Sequence, residues 1–524
     1  MTDSGFGAGT VGDVPTDRAT RIGRVTDTRA RGGVRDVPDL AVRPVLGVAV
    51  AVTAVLLAVA GRYGYHRDEL YFLSAGRRPA WGYPDQPPLV PLLAHVLGDV
   101  APGSLVVLRT PSALAAGAVV VLAALTGREL GARAAAQVLA AVAMGSSAVL
   151  FGIGHLLSTA TFALLADVLV LWLAVRATRT GRRRAWLPIG AVAGVGLLAS
   201  GLVAFVMVAV VVGLLVSGPR DVFRSPWPWA GTVVAAAMWA PYLAWQAGHG
   251  WPELAVSRSI AAGGSASSVS RALLVPELFG LVGPWLAPIW VVGLVRLVRD
   301  PAVRRARWVA VAYVVVVVVF VATGGKSYYL AGFYPVLLGA GAQPVVDWIG
   351  HRRHRRYLLG GAVAISALSS VAVTLPVFPV AVFAGTPLNA VNPDSGETVG
   401  WPRYVAEIAA AYHRLPAAER DHTVILTSDY GEAGALEQFG HLPPVFSVHN
   451  GFWYWGPPPE RATQVVAVGF DRSRLDAFCS HAVLLARLDN PWGLANRERG
   501  APVWSCTRLP GSWASVWPAI KVIG

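Results

Sequence analysis

The sequence predicts a membrane-embedded all-α bundle of about eleven spans, followed by a small extracytoplasmic α/β domain. Three observations lead there. Of 524 residues, 54% are hydrophobic and only 14% charged, whereas a soluble chain carries roughly a quarter charged residues. Apolar runs long enough to cross a hydrocarbon layer of about 30 Å recur along the chain. Beyond residue 379 the pattern changes to short β-branched runs separated by turn residues.

Residues 1–40 are polar and carry Arg21, Arg24, Arg29, Arg31 and Arg35. That is too long for the n-region of a cleavable signal, so a disordered basic cytoplasmic tail is expected. Apolar runs then begin near Ala41, Leu105, Ala134, Leu157, Trp186, Trp227, Leu274, Trp308, Gly332 and Tyr357. Between them lie arginine-bearing segments such as "GRELGAR" (127–133), "RATRTGRRR" (176–184), "GPRDVFR" (218–224), "RLVRDPAVRRAR" (296–307) and "HRRHRR" (351–356). Basic loops stay in the cytoplasm. The net charge of +14 therefore reports membrane topology, and no nucleic-acid-binding motif accompanies it.

The run from Ala185 to Ser217 has a basic segment at each end, so it is expected to split into two short helices near "ASG" (199–201). With that split the transmembrane domain covers residues 41–378. The loops 61–104, 154–158, 249–271 and 323–335 then face outward. A multi-pass plasma-membrane protein follows, with the N-terminus inside and residues 379–524 outside. In that last region "TVILTSDYGEAGALEQFG" (423–440) reads as strand, turn and helix, and "QVVAVGF" (464–470) and "AVLLARL" (482–488) as further buried strands. Its two cysteines, Cys479 and Cys506, form a candidate disulfide in an oxidising compartment. Without clustered histidines they suggest no metal site.

The outer loops hold the residues that suit chemistry. Asp68 and Glu69 follow the first span closely, and carboxylates at a membrane boundary are costly. The plainer reading is a solvated pair answering Arg67; the functional one is a general base. Lysine occurs only at 326 and 521, so Lys326 in an arginine-rich chain suggests a compact charge for a phosphate. Tyr328, Tyr329 and Tyr334 surround it and also suit an interfacial belt. His155 reads as a helix-end histidine, and Arg62 and His66 either meet an anion or flank the span. The aromatic "HNGFWYWGPPP" (449–459) and the acids Asp429 and Glu432 fit a site, a core or a turn.

Taken in order, "HRDELYF" (66–72), "YPDQPPL" (83–89), "GGKSYYLAGFYP" (324–335), "DYGEAGALEQFG" (429–440) and "HNGFWYWGPP" (449–458) resemble GT-C membrane glycosyltransferases. The branch is similar to the bacterial relatives of protein O-mannosyltransferases and the lipid A aminoarabinose transferase. The resemblance implies a polyprenyl-phosphate-linked sugar donor, an extracytoplasmic acceptor and inversion at the anomeric carbon, with no further cofactor. It implies Asp68 as base with Glu69 supporting it, and Lys326, Tyr329 and Arg62 at the donor phosphate. His66, Tyr83, Gln86, His155 and Tyr328 are then pocket candidates. Trp81 to Leu89 would shape amphipathic helices at the interface.

Two departures stand out. Many relatives carry a second acid near the start of the fourth span, where the nearest acid here is Asp167, well inside it. They also carry a lysine in the run that splits, where this chain has Ser200. A transporter or flippase using Asp167, or an inactive lipid-sugar-binding relative, are therefore the alternatives. Asp68 and Glu69 alone make a poor metal cage. The sequence leaves open the sugar, the acceptor, the oligomeric state and any divalent-metal requirement.

Overall fold

The computed structural model describes residues 5, 7, 37–264, 268, 270–508 and 511–524. The expected tail, 1–40, falls almost entirely outside them. Residues Val37–Gly524 form one compact unit.

Five helices are long and apolar enough to cross a membrane: Val42–Val59, Leu105–Glu129, Thr159–Thr180, the Ser327–Ile349 segment and Arg353–Thr374. Two bent pairs raise the number to as many as seven. The first pair, Ala134–Gly145 with Ala148–Gly154, turns by 56°. The second, Arg271–Val282 with Ala287–Arg299, turns by 106° where Gly283 takes φ +93° just before Pro284; glycine tolerates that φ and proline cannot continue the first helix. The expected eleven crossings thus correspond to at most seven segments that pass on length and composition among the described residues, with Leu89–Val100, Val203–Ser217 and Trp308–Thr323 as shorter apolar helices.

The run from Ala185 does divide, into Trp186–Leu197 and Val203–Ser217. The first packs along Pro226–Gly248, where Gly190 and Gly231 let the backbones meet, and the second packs along Trp308–Thr323 beside Gly213. Large apolar side chains such as Val50, Val208, Val318 and Leu368 remain exposed on the bundle, as a lipid-facing surface requires.

The C-terminal region carries a five-stranded sheet: β1 Thr423–Thr427, β2 Val445–Ser447, β3 Gln464–Val468, β4 Cys479–Arg487 and β5 Pro502–Arg508, in the order β2-β1-β3-β5-β4. β1 is parallel to β2 and β3, and β5 runs antiparallel to β3 and β4. β1 and β3 are buried as their sequences predict, but β4 is largely exposed because it forms the sheet edge. Cys479 and Cys506 are disulfide-bonded between β4 and β5.

The segment 61–104 folds into two helices, Arg67–Gly76 and Leu89–Val100. Trp81 to Pro88 is not helical as expected: Pro84, Pro87 and Pro88 hold it as an irregular connection that ends where the second helix starts at Leu89. Leu70, Tyr71 and Val90 from this loop share one core with Trp401, Ile425 and Val466 of the C-terminal region. The loop and the sheet domain are thus packed as one body.

Candidate active site

Helix Arg67–Gly76 begins with a capping box that engages the Glu69 carboxylate and the Asp68 backbone. His66 Nδ1 accepts from Asp68 N at 3.2 Å, and Glu69 accepts from His66 N at 2.8 Å. The two acids then part company. Glu69 is 0% exposed and takes a two-pronged contact from Arg109, Nε at 2.9 Å and Nη2 at 2.7 Å, as well as the Leu157 N–H at 2.9 Å. It knits the loop to helix Leu105–Glu129. Burial would raise its pKa, but Arg109 and these hydrogen bonds hold the carboxyl below the usual range.

Asp68 sits among many protein atoms, yet its side chain keeps 44% of its surface accessible. Tyr430 Oη donates to it at 2.7 Å, and His66 and Arg67 lie 3.7 and 3.9 Å away. Burial is the largest influence and would raise its pKa. His66, Arg67, the Tyr430 hydrogen bond and Lys326 outweigh it, so the group stays ionised below the ordinary carboxylate range. Lys326 is therefore within electrostatic reach of Asp68, although the two are far apart in sequence. It precedes the 3₁₀ segment Ser327–Phe333 and lies over the Tyr328 ring at 5.7 Å. The Tyr329 ring packs on Phe320 and edge-on against Tyr328. Glu253, in helix Pro252–Ala261, is close enough to act on Tyr329 electrostatically.

The remaining candidates separate. Tyr83 is buried with its hydroxyl against the Ala75 and Arg78 carbonyls. Gln86 is 3% exposed and its amide nitrogen has no partner. His155 turns Nδ1 onto the Phe151 and Gly152 carbonyls, as a helix-end histidine does. Arg62 is exposed and donates to the Val377 carbonyl at 3.0 Å; among the described residues no contact links it to Asp68 or Lys326. Asp167 is buried in Thr159–Thr180 against Gly332, with Oδ1 unpartnered. Ser200 accepts from Leu202 N.

Sequence reasoning passed over Asp85. It accepts from Tyr71 Oη at 2.9 Å and Asn450 Nδ2 at 3.2 Å. Burial, with the charge of Asp68 nearby, pushes it up to about 6. It lies inside the quoted "YPDQPPL" motif, which was the available signal. Arg109 and Tyr430 were also passed over: the first is a lone charge in an apolar run, and the second is placed only by tertiary packing. Among the described residues no group of three His, Cys, Asp or Glu side chains could hold a metal ion.

The family described as dolichyl-phosphate-mannose-protein mannosyltransferase matches residues 85–245, a stretch that includes Asp85 but neither Asp68 nor Lys326. No curated protein matches the chain in sequence. Among solved structures, ArnT from Cupriavidus metallidurans bound to undecaprenyl phosphate superposes with a TM-score of 0.60 at 16% identity, over 88% of this chain and 97% of that one. The apo form of the same protein gives 0.54 at 16% identity with the same coverage. Residues 85–245 thus match that family model over part of the chain, and the chain shares its fold with ArnT over most of its length.

Proposed function

We propose that the chain moves a sugar from a polyprenyl-phosphate donor to an extracytoplasmic acceptor hydroxyl, with inversion at the anomeric carbon. The observation that carries this reading is Asp68: an ionised carboxylate, open to solvent on one side and within reach of the Lys326 charge. In the proposed step the acceptor oxygen attacks the anomeric carbon, and its proton passes to Asp68 as the bond to the phosphate oxygen breaks. Lys326 and the Tyr329 hydroxyl offset charge on the departing polyprenyl phosphate. Asp85, beside Asp68, stands in for the second acid that relatives carry elsewhere. Glu69 and Arg109 position the loop without touching substrate. ArnT's complex with undecaprenyl phosphate makes that lipid class a natural donor carrier.

The test is transfer by the full chain in lipid, offered a panel of polyprenyl-phosphate sugars and an envelope extract. Asp68→Asn should lower transfer by about 10²–10⁴-fold while the protein stays folded and still binds the donor. Full activity in that variant would remove Asp68 from the role of base. Absence of transfer or donor hydrolysis by wild type with every donor would overturn the reaction class.

A further inference from the structure

A second cleft lies in the sheet domain, lined by Asp429 but not by Asp68. It has a volume of about 530 Å³ and opens at the carboxyl ends of β1 and β3. The chain leaves β1 toward helix Tyr430–Phe439 and β2, and leaves β3 toward the opposite edge, β4 and β5. Diverging exits of this kind open a crevice in which α/β sheets bind ligands. Here the crevice floor holds Ser428, Asp429, Glu432, His449 and Gly469. Gly469 has φ +76°, and a Cβ there would strike Glu432 and Ser428, so the strand exit is kept bare.

The lining carries both signs of charge, with the acids Asp429, Glu432, Asp471 and Glu498 beside four arginines. Arg472, Arg474, Arg487 and Arg497 line the cleft. Arg497 contacts Asp429 at 2.9 Å. The other three are exposed, and among the described residues none is paired with a carboxylate; Arg472 and Arg487 each donate one Nη1 bond to a carbonyl, of Ala482 at 2.8 Å and Gly500 at 2.9 Å, and Arg472 lies over the Trp504 ring and Arg474 over Phe470. On the floor, His449 is 5% exposed and its Nε2 has no partner. Its Nδ1 makes only a 3.4 Å contact with Asp429. Glu498, 3% exposed, leaves Oε1 unpartnered. Burial raises Glu432 and Glu498 above the ordinary glutamate range; the Asp429 charge adds to both and Glu432 adds to Glu498, while the hydrogen bond from Glu498 works the other way on Glu432, so these acids offer protons rather than negative charge.

The geometry points to this crevice as a seat for an anionic saccharide: guanidiniums with free donors and no carboxylate partner for its carboxylate or phosphate, a polar floor for its hydroxyls and Trp504 for a ring face. Under the transferase reading, on which this part rests, that saccharide belongs to the acceptor. Asp429 ties the two sites together, since it contacts Arg67 at 3.8 Å while its neighbour Tyr430 holds Asp68.

The test is calorimetric titration of the full-length protein in nanodiscs with a glucuronate-containing oligosaccharide, its carboxyl-reduced neutral counterpart and inorganic phosphate. The acidic oligosaccharide should bind at least about tenfold more tightly than either of the others. Arg472→Gln with Arg487→Gln should weaken it by about tenfold or more at an unchanged melting temperature, and Asp68→Asn should bind as wild type does. Equal binding of the neutral oligosaccharide, equal binding of phosphate, or indifference to the arginine pair would each overturn the inference. Binding is read without turnover. Saccharide binding by a chain that never transfers sugar would keep the crevice and discard the transferase reading.

Discussion

Asp68 and Glu69 are neighbours in sequence, but a helix turns each residue about 100° from the last, so the capping box can bury one while leaving the other open. Glu69 is paired with Arg109 at 0% and 2% side-chain exposure. Truncating one partner leaves an uncompensated buried charge, which costs about 3–5 kcal/mol. Glu69→Gln should therefore lower the melting temperature sharply, and Glu69→Gln with Arg109→Gln should recover part of it. An unchanged melting temperature in the single variant would show that the pair does not anchor the loop. At Asp68 the Tyr430 hydrogen bond favours the ionised form, so removing it raises the carboxyl pKa. A carboxylate base works above its pKa and is lost as pH falls through it. Tyr430→Phe should accordingly shift the acid limb of the pH–rate profile to higher pH while costing less than about tenfold at neutral pH. A limb that stays put would exclude the hydrogen bond from tuning the base. Asp68 itself was legible from its place after an apolar run. Tyr430 was not, because a contact spanning 362 positions leaves no local signature.

Helix Arg67–Gly76 lies against helix Tyr430–Phe439, and the approach depends on one small residue. A Cβ on Gly434 would come within 2.9 Å of the Leu70 backbone. Such a contact has no flexible side chain to yield, so one of the helices must shift. Asp68 and Tyr430 each stand at the start of one of the two helices, so the shift would pull the hydroxyl from the carboxylate. Gly434→Val should lower transfer and melting temperature together, whereas Gly434→Ala should have the milder effect. Wild-type transfer in the valine variant would mean that this contact does not set the site. At this scale the sequence was informative where signals are local: the break near 199–201, β1, β3 and the helix after "SDYG" all appear. It missed β2, only three residues long, β5, and the irregular Trp81–Pro88 connection, where three prolines override the aromatic pattern.

Across the whole molecule, the arginine-bearing segments meet one another. Arg133 pairs with Asp347 at 2.7 Å, Arg179 with Glu129 at 2.6 Å, and Arg296 and Arg305 donate to the Leu130 and Arg179 carbonyls. The ends of helices Leu105–Glu129, Thr159–Thr180, Ala287–Arg299 and Tyr334–Ile349 are thus gathered on one side of the bundle. Arg109, near the opposite end of helix Leu105–Glu129, holds Glu69 and so the candidate site. The proposed topology, with basic loops retained in the cytoplasm, would put Asp68, Lys326 and the sheet domain on the outer face. The native cysteines are bridged and give no maleimide background. Arg258→Cys, on exposed helix Pro252–Ala261, should react with a membrane-impermeant maleimide in intact cells. Arg304→Cys, exposed among the arginine segments, should react only after lysis. The reverse pattern would turn the molecule over and put Asp68 in the cytoplasm. There the outer-leaflet acceptor would be out of reach, and the transfer reaction would need a different acceptor even if Asp68 remained its base.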